Sequence, residues 1–150
     1  MKTYTQSQLL AKAQAYCSSA EHCPSEVMTK LKQWGCDEQL TAASIIKDLT
    51  DERFIDETRY SISFVRDKYR LCAWGKLKIA LALKAKGLPS EAIEAGISSI
   101  DEEEYDSILG KLIEQKDKSL KYSDECERRA KLMRYASSKG FTLDEISRHL

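Results

Sequence analysis

The chain has 150 residues, with 24 Lys and Arg against 24 Asp and Glu, so its formal net charge is zero, and it contains only 6 Gly and 2 Pro. So few chain breakers exclude long loops and turn-rich β architectures. Ala, Glu, Lys, Leu and Arg supply 68 residues and Val occurs only at Val27 and Val65, which predicts an all-α fold, since strands draw on β-branched side chains. No run reaches the ~18 apolar residues needed to cross a bilayer. The opening MKTYTQSQLL has no apolar secretory run, so no membrane association and a cytoplasmic location are expected. Cys17, Cys23, Cys36, Cys72 and Cys126 are widely spread without a C-x-x-C pair. That spacing predicts free thiols, with neither a disulfide framework nor a zinc site.

Apolar residues recur at helical steps along the whole chain. In the first third, Leu9, Ala13 and Cys17 are four apart, Val27, Met28 and Leu31 follow Pro24, and Leu40, Ala43, Ile46 and Leu49 follow a glycine at 35. The middle third runs Phe54, Thr58, Ile62, Val65 and Tyr69, then Leu77, Ala80, Leu81 and Leu83, then Ile93, Ile97 and Ile100. In the last third the series is Tyr105, Ile108, Leu109, Leu112 and Ile113, then Cys126, Ala130, Met133 and Ala136, then Ile146 and Leu150. Thr142 and Glu145 have capping-box spacing, Phe141 and Ile146 are placed as a hydrophobic staple, and Pro24 and Pro89 suit first-turn positions.

A longer period overlies this one. KLKQWG ends at Gly35, ALKAKG at Gly87 and YASSKG at Gly140, 52 and then 53 residues apart. Glycine at such a place ends a helix in the left-handed conformation. The recurrence predicts three tandem three-helix repeats, at 1–50, 51–100 and 101–150, forming an elongated, curved and monomeric molecule. Thr50 and the stretch KDKSLKYS at 116–123 are the expected flexible points.

No phosphate loop, dinucleotide motif or zinc-protease motif is present, and the two histidines, His22 and His149, lie near opposite ends. Neither an enzyme nor a cofactor is expected, because no cysteine has a visible base beside it. The acid run Asp101, Glu102, Glu103, Glu104 and Asp106 is read as helix-start chemistry rather than a magnesium site. Positive charge is concentrated in two blocks. The first, 66–86, holds Arg66, Lys68, Arg70, Lys76, Lys78, Lys84 and Lys86 against Asp67 alone. The second, 128–139, holds Arg128, Arg129, Lys131, Arg134 and Lys139 with no acid. Such blocks steer a protein toward a polyanion. Lys76, Lys84 and Lys86 are expected on one exposed side of a helix whose other side carries Leu77, Ala80, Leu81 and Leu83. Trp74 is read as packing a corner between two helices.

Four segments carry a resemblance: EHCPSEVMTKLKQWG at 21–35, DERFIDETRYSISFVRDKYR at 51–70, WGKLKIALALKAKG at 74–87 and KLMRYASSKGF at 131–141. In this order and spacing the chain resembles the RecX family of regulatory proteins. The resemblance implies a protein that lies along the RecA–DNA filament, restrains RecA's ATPase and strand exchange, and has no chemistry of its own. The family's basic surface corresponds here to the two blocks. The first repeat departs from the family in being nearly neutral, and Lys139 stands where arginine is frequent. The other reading the sequence supports is an independent DNA-binding protein of helix-turn-helix character, contacting single- or double-stranded DNA. Against it, KLKIALALKAK offers lysines for phosphates but little to read bases.

Overall fold

A computed structural model describes residues 3–150. Among them are nine α-helices and no strand, in three consecutive triplets. The first triplet is α1 (Gln6–Ser19), α2 (Pro24–Gln33) and α3 (Gln39–Asp51). The second is α4 (Glu57–Cys72), α5 (Lys76–Ala85) and α6 (Ser90–Ser98). The third is α7 (Glu102–Ser119), α8 (Glu125–Ser138) and α9 (Leu143–Ser147). The fold is thus all-α and built of tandem three-helix units.

Local chemistry sets the ends of these helices. Thr5, Asp56, Asp101, Asp124 and Thr142 cap α1, α4, α7, α8 and α9, each side chain accepting a hydrogen bond from the backbone N–H three residues on. Thr142 and Glu145 complete the capping box, and Phe141 and Ile146 are both buried beside it. Gly35, Gly87 and Gly140, just past α2, α5 and α8, have φ of 92°, 84° and 101°, which a side chain would strain. Pro24 opens α2 as expected, but Pro89 is the residue before α6 rather than within its first turn. Thr50 lies inside α3, and α7 continues through Ser119, so only the second half of 116–123 leaves the helix.

The apolar faces differ from expectation in several helices: in α4 Thr58 is exposed while Tyr60 and Ser61 are buried, and in α6 the buried residues are Ala92 and Gly96, with Ile93 and Ile97 half-buried. In α3 the buried set is Ala42, Ile45 and Leu49, while Leu40 is exposed. In α8, Leu132 and Ala136 are buried and Cys126 is exposed. In α5, Ile79 and Leu83 are buried but Leu77 and Leu81 face solvent. All of these helices carry apolar residues on more than one side, so periodicity alone does not select the face.

The buried side chains form two cores rather than three. One joins Leu9, Ala13, Val27, Leu31, Ala42, Ile45 and Leu49 of the first triplet with Ile55 from the connection to α4. The other runs without a break through the second and third, from Tyr60 and Val65 through Leu83 and Leu109 to Leu132 and Ile146. Cys23, fully buried at the start of α2, belongs to the second core. The Arg59–Glu21 pair at 2.5 Å and the Lys86–Glu26 pair at 3.6 Å tie the first triplet to the second.

The seam between the second and third triplets is made of backbone. The Gly75 N–H donates to the Lys139 carbonyl at 2.7 Å and the Leu77 N–H to the Gly140 carbonyl at 3.1 Å. The Lys76 N–H donates to the Tyr105 hydroxyl at 2.9 Å, and that hydroxyl donates to Glu145, the acid of the capping box. Burial pushes the Tyr105 phenol further above its usual pKa, which disfavours the phenolate still more strongly.

Candidate functional site

The seam places Trp74 beside two lysines of the first basic block, Lys68 and Lys78, and brings in Lys139 from the second. α4 ends at Ala73, which turns the chain left-handed at φ 52° and delivers Trp74 to the corner before α5. Trp74 is half-buried against the second core, as read from the sequence. The Lys68 ammonium lies 4.7 Å from the centre of its ring and the Lys78 ammonium 4.6 Å. From the second block, the Lys139 ammonium donates to the Cys72 carbonyl at 3.1 Å. Cation–π contacts hold such lysines in place without neutralising them.

Lys76 and Lys78 occupy the first turn of α5, where no acid is present and the helix dipole disfavours positive charge. Lys76 is relieved by Glu102 at 2.6 Å and lies 4.8 Å from the Tyr105 ring centre. Among the described residues Lys78 meets the Trp74 ring and no acid, so its charge is not neutralised there.

The acid run of 101–106 divides the first block. Arg70 makes a forked pair with Glu104 at 2.6 and 3.1 Å, and Asp106 meets the His149 ring at 2.8 Å. With Lys76 on Glu102, the run caps α7, as expected, and also supplies counter-charge to its neighbours. This second task was legible only as the proximity of an acid run to a basic one in sequence. Lys86 belongs to the joint with the first triplet through Glu26. It therefore shares no open face with Lys76, and both differ from Lys84, which is exposed.

In the second block, Arg128 is clamped by Asp117 and by Glu125, each at 2.7 Å. The Asp117 hydrogen bond raises the pKa of the guanidinium. Lys131 is 2.8 Å from Glu127 and donates to the Lys121 carbonyl. Arg129 and Arg134 are exposed. Among the described residues, the block cations engaged in no ion pair are Arg66, Lys68, Lys78, Lys84, Arg129, Arg134 and Lys139. The sequence did not show that Leu77 and Leu81 are exposed beside them.

No helix among the described residues is long and apolar enough to cross a membrane. Residues 56–97, the central triplet, match the family model described as RecX, second three-helix domain. A Regulatory protein RecX of Prosthecochloris aestuarii is 27% identical over 146 residues, covering 91% of this chain and 92% of its own length. Namesakes from Clostridium botulinum (strain Eklund 17B / Type B) and Clostridium tetani are 32% and 29% identical over 81% of this chain. The chain spans only 57% and 56% of the length of those two clostridial proteins. The crystal structure of RecX from Lactobacillus salivarius superposes with a TM-score of 0.84 at 22% identity, covering 96% of this chain and 93% of that one, which establishes a common fold. The central unit matched by the family model, a relative aligned over nine-tenths of both chains and the nine-helix fold held in common all relate the chain to the RecX family.

Proposed function

We propose that this protein binds the RecA–DNA filament and restrains RecA's ATP hydrolysis and strand exchange. The observation that carries the reading is the set of cations on α4 and α5 that form no ion pair among the described residues: Lys68 and Lys78 on the Trp74 ring, with Arg66 and Lys84 elsewhere on the same pair of helices. The protein's own acids neutralise Arg70, Lys76, Lys86 and Arg128. What remains is complementary to phosphates and to acidic protein side chains, the two kinds of anion a nucleoprotein filament offers. Units at 1–50, 51–100 and 101–150 arranged in line suit a groove and reach more than one RecA protomer. In this reading the protein acts as a cytoplasmic monomer, by occupancy rather than by chemistry of its own, with no cofactor.

The test is the rate of RecA ATP hydrolysis on single-stranded DNA with and without sub-stoichiometric amounts of the protein. A fall in rate is expected, and reversing Arg66 and Lys78 to Glu together should abolish it. An unchanged rate at stoichiometric excess, with tight binding to naked DNA instead, overturns this reading in favour of an independent DNA-binding protein.

A further inference from the structure

Helix α5 is apolar on two sides. Ile79 and Leu83 are fully buried, yet Leu77 and Leu81, one turn apart, are 54% and 68% exposed. With Ala80, and with Ile93 from α6, they line a groove of about 500 Å³. Lys84, Ser90 and Glu94 complete its walls. Adjoining exposed leucines in an open groove offer apolar surface that a partner could cover. Neither Lys84 nor Glu94 forms an ion pair among the described residues, so the groove presents one free cation from α5 and one free carboxylate from α6.

We propose that this groove docks a short amphipathic helix of the filament protein, an inference that rests on the filament-binding reading above. The occupant carries two apolar side chains one turn apart, a carboxylate for Lys84 and a cation for Glu94. Its chemistry follows from the walls. A nucleic acid would set phosphates against Glu94 and gain nothing from Leu77, Leu81 and Ile93. A second copy of this chain would need roughly 800 Å² on each partner for a stable dimer, far more than a groove of about two helical turns, or ~10 Å, presents. A single helix of a larger partner fits that length, and the basic seam supplies the rest of the contact. The mode is helix-in-groove recognition read at i, i+3 and i+4 positions.

The experiment compares the wild-type protein, the double variant Leu77→Ser/Leu81→Ser and the double variant Arg66→Glu/Lys78→Glu. Each is titrated against RecA filaments on single-stranded DNA and against the same DNA without RecA, across a salt series. Leu77 and Leu81 are exposed, so the first variant should keep wild-type helix content and melting temperature. It should lose about tenfold or more in filament affinity, keep the wild-type salt slope, and bind naked DNA as wild type does. The charge variant should instead flatten the salt slope. Wild-type filament affinity in the leucine variant overturns the groove proposal alone. Failure of the wild-type protein to bind filaments overturns the filament reading and the groove proposal with it. Self-association of the wild-type protein in sedimentation velocity, lost in the leucine variant, assigns the groove to a second copy and overturns the proposal as well.

Discussion

Gly75 and Gly140 meet backbone to backbone: a Cβ on Gly75 would fall 2.2 Å from the Gly140 carbonyl carbon, and one on Gly140 would fall 2.5 Å from the Lys78 Cβ. No side chain can enter this seam without separating the second and third triplets. Gly87 is a different case, since its φ of 84° strains a side chain but nothing lies within 4 Å of the place a Cβ would take. Gly87→Ala should therefore cost about 1 kcal/mol, a conformational cost only. Gly75→Ala should cost more, roughly 2–3 kcal/mol, because backbone must move. Denaturant midpoints measure both, and a milder effect at Gly75 would show that the seam yields.

The packing of α4 on α6 is equally close. A Cβ on Gly96 would lie 2.2 Å from the Ser61 Oγ and 3.0 Å from the Val65 Cγ2. Ser61 is fully buried, and its hydroxyl has no hydrogen-bond partner among the described residues. Gly96→Ala should destabilise by about 1–3 kcal/mol. Combining it with Ser61→Gly, which vacates the space, should recover much of that loss. Strict additivity in the double-mutant cycle would mean that the two positions do not touch.

Lysines of the same block should respond differently to charge reversal. Lys84 is exposed and unpaired, so Lys84→Glu should change stability by no more than about 0.5 kcal/mol. Lys76 is only 26% exposed, with Glu102 and the Tyr105 ring as partners. Lys76→Glu should cost about 1–2 kcal/mol. Thermal unfolding of the two variants side by side decides the matter, and equal melting temperatures would contradict the assigned roles.

Acid should loosen the start of α8 before the cores. The Glu127 carboxylate accepts from Lys131 and from the hydroxyl and backbone N–H of Ser123, which holds its pKa at about 2. A carboxyl with a depressed folded-state pKa contributes stability that is fully present above its unfolded value, ~4.3, and is lost as pH falls toward 2. Hydrogen exchange of the amides at 124–129 should accelerate between about pH 4 and pH 2. In Glu127→Gln, exchange corrected for its intrinsic pH dependence should be flat over that interval. A wild-type profile in the variant would remove Glu127 as the cause.

Three triplets in line should scatter as more than a compact particle. Small-angle X-ray scattering at several concentrations should give a radius of gyration above the ~15 Å of a compact 150-residue domain, extrapolating to the mass of one chain. A value at or below that figure would argue that the units fold back on one another.

Much of this molecule is written locally. The left-handed turns at Gly35, Gly87 and Gly140 and the Thr142–Glu145 cap each depend on residues within a few positions of one another, so the sequence alone determined them, and their 52- and 53-residue spacing is read directly from the chain. The all-α class, the two basic blocks and the corner packing of Trp74 were legible for the same reason. Tertiary structure decided which cations remain free. Arg70 is neutralised by a glutamate 34 residues away and Lys76 by one 26 away, and no periodicity reports such distances. It also decided that Leu77 and Leu81, rather than Ile79 and Leu83, face solvent. A helix apolar on two sides has two equivalent ways to meet a core by pattern alone. The choice between them is made by the neighbours that pack against it, here α4, α6 and the Gly140 turn that fixes the start of α5.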